Sequence, residues 1–262
     1  MNIVVCLKQV PSTTEVKINP ETNTLIREGI ENVVNPFDAY GLEEGVRLKE
    51  RYEGKVTALS MGPPQAEAIL REAITLGADE ALLLCDREFA GADTWATAYT
   101  LAAAVKKLGD ADLVICGRQT VDGDTGQVGP EMAEMLDMPF IAYVSSVEEV
   151  SEGQIRAKRA AEDGYEEITA PLPAVITVSK EINTPRLPSL RGKARARSAE
   201  IPVLTAKTLG ADPAKIGLSG SWTQVVKVFF PTREVKAEIF AGTPEEQVDA
   251  LLGNLKKAGF LK

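Results

Sequence analysis

The stretch that decides the fold is residues 112–134, "DLVICGRQTVDGDTGQVGPEMAE". It opens with "DLVIC", a run of strand length that is apolar on both faces, as a buried parallel strand requires. It passes into a helical pattern in which Val128, Met132, Met135 and Leu136 share one face. Pro130 lacks an N–H and fits a helix only near its first turn, so the helix is expected to begin between about residues 126 and 130. The chain between strand and helix is richer than a plain connection needs. Gly123, Gly126 and Gly129 fall where backbone amides can approach an anion at a helix start, and there the helix dipole favours negative charge. Gln119, Thr120, Thr125 and Gln127 add neutral hydrogen-bonding groups suited to ribose, amide or ring edges. The spacing is neither G-x-G-x-x-G nor a P-loop. On the residues alone, a long polar connection is the rival reading.

Working outward, the same rhythm fills the first 140 residues. "NIVVCLKQV", "KVTALSMG" and "EALLLCD" are further two-sided apolar runs. Helices are expected over 37–52, 64–77 and 94–108. "NP" at 35–36 supplies a cap and first-turn proline, Asp93 caps the third helix, and Gly77 and Gly109 stop the second and third. Such alternation implies right-handed crossovers and an α/β fold with a doubly wound, mostly parallel sheet. Ligands bind such sheets at the carboxyl ends of the strands, where the strand order reverses. "NPFDAYG" at 35–41 and "SMGPP" at 60–64 open helices at the same sheet edge as the 117–129 loop. "VKINPETNTLIRE" reads as an early hairpin insert. After residue 140 "QIRAKRAAEDGYEEITA" reads as two strands about an "EDG" turn, followed by the strand "AVITVSK". From about 183 to 242 no regular pattern survives, which suggests an arm lying on a partner. Residues 243–259 are expected to form a capped helix burying Val248, Leu251, Leu252 and Leu255.

The 262-residue chain is 44% hydrophobic and 26% charged, with a net charge of −9 and no histidine. The missing histidine removes the usual general base, the Ser-His and Cys-His pairs and the commonest metal ligand. Cys6, Cys85 and Cys116 are widely spaced near the ends of apolar runs and read as reduced, mostly buried thiols of a cytoplasmic protein. Asp122 and Asp124 flank Gly123, but two carboxylates without a further cluster suit capping and ribose contact better than a metal. No segment approaches the roughly 18 apolar residues of a membrane span. The N-terminal run reads as a first strand and not as a leader.

Four segments together resemble the electron-transfer flavoprotein beta subunit: "VNPFDAYGLEEGVRLKE", "ALSMGPPQAEAILREAITLGADEA", "DLVICGRQTVDGDTGQVGPEMAE" and "LPAVITVSKEINTPRLPSLRGKARA". The resemblance covers essentially the whole chain. It implies an adenine-nucleotide-binding domain of the universal-stress and ATP-pyrophosphatase type over residues 1–182. Over 183–262 it implies a docking loop, an extended arm and a C-terminal helix that pack on a larger alpha subunit holding its own FAD. The nucleotide contacts it implies are Cys6, Asn35, Pro36, Phe37, Asp38 and Met61, and the loop Gly117, Arg118, Gln119, Thr120, Val121, Asp122, Gly123, Asp124, Thr125, Gly126, Gln127 and Val128. Leu190 matches the leucine by which the family docks a redox partner.

The family binds AMP here in one branch and a second FAD in its electron-bifurcating branch. "VDGDTGQVGPEMAE", "AGADTWAT" at 90–97 and "GLSGSWTQVVKVFFP" resemble the FAD-bearing branch. Asp93 and Thr94 are then expected near an isoalloxazine ring or an incoming NADH. Trp222 departs from the proline that resemblance leads one to expect. In that branch NADH gives a hydride to the beta-site FAD. The electrons then leave for a flavin dehydrogenase of the acyl-CoA type, by way of the alpha-subunit FAD, and for ferredoxin or flavodoxin. AMP in a non-bifurcating carrier remains the alternative, and a nucleotide-sensing universal-stress module is another. "RLPSLRGKARAR" is basic, but the chain is acidic and that segment has no aromatic for base stacking, which argues against nucleic acid.

Overall fold

Along the first strand Ile3 and Val5 alternate with Val4 and Cys6, and the two pairs are buried in separate apolar clusters on opposite faces of one sheet. This two-sided burial is why the strand reads as a continuous apolar run, and the same holds for the other central strands of the sheet. The computed structural model describes residues 1–12, 17–18, 25–26, 32–226 and 237–261. Strands β1 (Asn2–Cys6), β2 (Gln9–Pro11), β3 (Lys17–Ile18), β4 (Leu25–Ile26) and β5 (Asn32–Val34) precede α1 (Pro36–Tyr52). β6 (Lys55–Met61), α2 (Glu67–Leu76), β7 (Glu80–Leu84), α3 (Thr94–Leu108), β8 (Leu113–Gly117) and α4 (Val128–Leu136) then alternate. β9 (Phe140–Ser151), β10 (Gln154–Ala161), β11 (Gly164–Pro171) and β12 (Ala174–Val178) follow. Next come α5 (Leu190–Ser198), β13 (Val203–Leu204), α6 (Ala206–Leu209), α7 (Gly217–Gly220) and, near the end of the chain, α8 (Pro244–Lys257).

Nine strands form one sheet in the order β11-β10-β9-β12-β8-β1-β6-β7-β13. All its neighbours pair in parallel except β10, which runs antiparallel to β9 and β11. From β1 the chain winds outward to β6 and β7, then crosses back to β8 on the other side. The strand order therefore reverses between β1 and β8, and a crevice opens at their carboxyl ends. α1, α2 and α5 supply buried residues to one face, and α3, α4 and α6 to the other. The expected α/β class and the mostly parallel sheet are present. So are the early hairpin (β3 with β4) and the two strands about the "EDG" turn.

The chain falls into two compact units, Met1–Val226 and Lys227–Lys262. Residues 183–226 are built onto the sheet unit. β13 extends the sheet edge beside β7, and α5 is tied to α2 by Arg71 Nη1 donating to Ala196 O at 2.6 Å and Arg195 Nη2 donating to Ile74 O at 2.8 Å. α8 carries the expected cap, a reciprocal Thr243–Glu246 box. It does not bury its apolar side, however: Val248, Leu251 and Leu252 are exposed and Leu255 is half-buried. No helix among the described residues is long and apolar enough to cross a membrane.

Candidate functional site

A cleft of about 1320 Å³ opens where the sheet order reverses, lined by the ends of β1, β6 and β8, the starts of α3 and α4, and the segment Trp222–Val225. Its floor is set by two close approaches. β8 ends at Gly117, where any Cβ would overlap Asp38 Oδ1 and lie 2.8 Å from Asp38 N, so only glycine lets this strand meet the start of α1. Asp38 is itself buried and accepts from Lys8 N at 2.7 Å and Asn35 Nδ2 at 3.0 Å. Burial outweighs these donors and raises its carboxyl from 3.8 to about 7. Cys6 and Cys116 lie beside it on neighbouring strands. The Cys116 side chain and burial together push the Cys6 thiol well up, so it behaves as a packed, inert thiol.

The loop after β8 is held by residues distant in sequence. Asn35 occupies the N-cap position of α1 but makes no side-chain cap. Instead, fully buried, it donates to Gln119 O at 2.9 Å and to Asp38, and accepts from Val121 N at 3.1 Å. Lys8 Nζ bridges both oxygens of Asp122 at 2.8 Å. Partial burial would raise Asp122, but the Lys8 hydrogen bond and charge hold it below its usual range. Gln119 donates to Asp124, whose φ of 54° is set by a turn in which its N–H donates to Thr120 O at 2.8 Å. Both loop carboxylates are thus engaged within the protein. Gly126 takes φ 65°, a left-handed turn that glycine makes without strain. α4 begins at Val128, inside the expected window, while Gly129 serves packing: its Cβ would lie 2.5 Å from Thr177 Cγ2.

The wall opposite the sheet comes from α3 and the chain beyond α7. Asp93 caps α3 as expected, with Oδ1 accepting from Ala96 N at 3.0 Å. Its Oδ2 accepts from Trp222 N at 2.7 Å and Thr223 N at 2.9 Å. Slight burial favours the neutral acid, but the Ala96, Thr223 and Trp222 amides together hold the carboxyl below its ordinary value. Thr94 Oγ1 lies 3.1 Å from Glu131 Oε1, and Glu131 Oε2 is buried without a partner among the described residues. Burial raises the Glu131 carboxyl against that hydrogen bond.

Of the residues the sequence pointed to, Cys6, Asp38, Met61, Asp93, Thr94, Gly117, Gln119, Thr120, Gly123, Thr125, Gly126, Gln127 and Val128 line the cleft. Asn35, Pro36, Phe37, Val121, Asp122 and Asp124 do not, and Asn35 and Asp122 act as struts behind it. Arg118 is also absent from the lining, and its guanidinium lies 5.1 Å from the Tyr143 ring centre. Leu190, the first residue of α5, is 87% exposed and belongs to a different part of the surface. Sequence reasoning gave no site role to Lys8, Phe89, Trp95, Glu131 or Trp222–Val225, although "AGADTWAT" and "GLSGSWTQVVKVFFP" had pointed to the segments that hold Trp95 and Trp222.

The arrangement suits an anionic nucleotide. The amides of Thr125, Gly126, Gln127 and Val128 have no acceptor among the described residues and stand at the N-terminus of α4. Glu131 Oε2 is a buried polar atom still in want of a donor.

Residues 22–209 match the electron transfer flavoprotein domain. The chain is 50% identical to the electron transfer flavoprotein subunit beta of Thermoanaerobacterium thermosaccharolyticum, over 97% of this chain and 98% of that one. It is 47% identical to the Clostridium acetobutylicum protein of the same name, over the full length of both. It is also 45% identical to subunit CarD of the caffeyl-CoA reductase-Etf complex of Acetobacterium woodii, over 98% of each chain. The chain therefore belongs to the electron transfer flavoprotein family, as one of its beta subunits.

Proposed function

We propose that the cleft holds FAD and that the chain works paired with an alpha subunit as a hydride-to-single-electron converter. When bound, FAD here supplies acceptance of a hydride from NADH, with one electron passing to a dehydrogenase by way of the alpha-subunit FAD and one to ferredoxin or flavodoxin. The observation that carries this reading is the size and make-up of the cleft. At about 1320 Å³ it exceeds the ~300–1,000 Å³ of ordinary small-ligand sites and has room for a dinucleotide. One part of its lining is polar amide and the other includes Phe89, Trp95, Leu101 and Trp222.

The residues divide the work. The free amides of Thr125–Val128 and the α4 dipole hold phosphate charge, with Gly126 permitting the approach. Thr120, Thr125, Gln127 and Glu131 offer hydrogen bonds to hydroxyl and ring N–H groups. Trp95 and Trp222 supply apolar surface that excludes water from a ring beside them. No protein base is required, which accords with a chain that has no histidine. Leu190, projecting from α5, is the proposed contact for the dehydrogenase, and the name of the CarD relative supports a CoA-thioester reductase as its class. The test is to denature the purified alpha–beta complex and identify what is released. Two FAD per complex supports the reading, and one FAD with one AMP overturns it in favour of a non-bifurcating carrier.

A further inference from the structure

The segment that closes the cleft is held by one carboxylate. α7 ends at Gly220, and Ser221 still has local ties: its Oγ lies 2.7 Å from Gly217 O and accepts from Asp93 N at 2.8 Å. Beyond Ser221 those ties stop. Among the described residues, every hydrogen bond made by Trp222–Val226 ends on Asp93 Oδ2: from Trp222 N, from Thr223 N, and from Thr223 Oγ1 at 3.2 Å. The side chains do not anchor the segment either, since Trp222 is 83% and Val225 78% exposed. Yet Trp222, Thr223, Gln224 and Val225 all line the cleft.

Asp93 is committed to this duty. Oδ1 caps α3, Oδ2 takes three donors, and its backbone N–H is spent on Ser221. An oxygen engaged as Oδ2 is has no free lone pair of good geometry for a ligand. We propose that Asp93 is a positioning residue of the nucleotide cleft: it clamps Trp222–Thr223 so that Trp222–Val225 stand as a wall that retains the bound nucleotide. The proposal rests on the cleft being a nucleotide site, but not on that nucleotide being FAD.

The two oxygens have separable jobs, which makes the clamp testable. Asp93→Asn keeps an oxygen to cap α3, because asparagine caps as well as aspartate. It replaces Oδ2 with an NH₂ group facing two backbone N–H donors, so the wall loses its acceptor while the helix start survives. Trp222→Pro removes the N–H from the other side of the same bond, and Trp222→Ala, which loses the indole but keeps that N–H, is its control: release faster in the proline variant than in the alanine one reports the clamp. All three variants would be made in the full alpha–beta complex carrying whatever nucleotide it is purified with. Three quantities are read: amide exchange over residues 221–225, the rate of nucleotide release, and the thermal midpoint of the complex.

Exchange at Trp222 and Thr223 should accelerate in Asp93→Asn, and nucleotide release should quicken by about tenfold to a hundredfold, the scale of one or two lost charge-assisted bonds. Trp222→Pro should reproduce the faster release, and the thermal midpoint should stay near wild type. Faster exchange with unchanged release would overturn the proposal, since the segment would then be clamped but would not retain the ligand. Unchanged exchange at Thr223 in Asp93→Asn would remove the clamp itself. A complex that carries AMP refutes the FAD reading but still tests the clamp through AMP release. If neither AMP, ADP nor FAD binds at millimolar concentration, both readings fall.

Discussion

Asn35→Ala is the sharpest probe of how the loop after β8 is held. The wild-type side chain is fully buried and makes three hydrogen bonds, to Asp38 Oδ1, Gln119 O and Val121 N. At ~0.5–1.5 kcal/mol net each, they amount to about 1.5–4.5 kcal/mol. Gln119 and Val121 sit on a surface loop where water can replace a lost partner, so the lower half of that range, about 2 kcal/mol, is expected. The larger effect should fall on the site. Without Asn35 the peptide units at Gln119 and Val121 lose their tether to the start of α1, and the Thr125–Val128 amides are no longer preorganised. Nucleotide affinity should drop by about tenfold or more.

Asn35→Asp is the discriminating companion. It keeps the shape but turns the Nδ2 donor into a carboxylate oxygen facing both Asp38 and the Gln119 carbonyl. It should therefore be worse than alanine at neutral pH, with the gap narrowing as the pH falls and the pair takes up a proton. Urea unfolding of the complex and the nucleotide content after gel filtration measure both effects. If Asn35→Asp matches wild type in both, the described geometry around Asn35 is wrong.

Three further outcomes are expected. Gly126→Val forces a β-branched side chain into φ 65° and should lower nucleotide occupancy of the purified complex while leaving the alpha-subunit flavin in place; full occupancy at both sites would remove the loop from the site. Asp38, raised from 3.8 to about 7, holds a proton in the folded chain that the unfolded chain has lost. Its contribution to stability is therefore present in full below about pH 4 and is lost as the pH rises toward 7; a carboxyl resonance titrating near pH 4 would refute burial as the dominant influence. Leu190→Ala, at a residue 87% exposed, should leave the urea midpoint and nucleotide content unchanged but slow electron transfer to a CoA-thioester dehydrogenase; unaltered partner kinetics would cancel the docking assignment.

What the sequence shows depends on whether a residue's partner is near it in the chain. β1, β6, β7 and β8 were legible because each is buried on both faces, and burial on both faces writes a continuous apolar run. α3 was legible at both ends because its cap and its stop, Asp93 and Gly109, are local. β9 was not: its short apolar run "FIAYV" leaves Tyr143 exposed, and "SSVEEVS" beyond it is only partly buried and has no clean alternation. α5 was hidden for a related reason. "LRGKARARS" buries only Ala196, and its attachment to α2 runs through arginine side chains and backbone carbonyls, which leave no hydrophobic period.

The site divides along the same line. The loop announced itself through Gly126 and Pro130, whose backbone constraints are properties of the residues alone. Its struts did not. "NP" before an amphipathic run reads as a cap and first-turn proline, and α1 does begin there, so nothing local marks Asn35 as a residue that instead binds Gln119, 84 positions later. Lys8 with Asp122 and Asp93 with Trp222 are pairs of the same kind, 114 and 129 positions apart. These three pairs bring the loop, the first strand end and the cleft wall together. They exist only because the strand order reverses between β1 and β8 and because residues 217–223 return to the start of α3. Trp222 shows how such a pair leaves a trace in sequence without explaining itself. It stood out as a departure where proline was expected, and the structure supplies a use for the difference: tryptophan has an N–H to give Asp93, and proline has none.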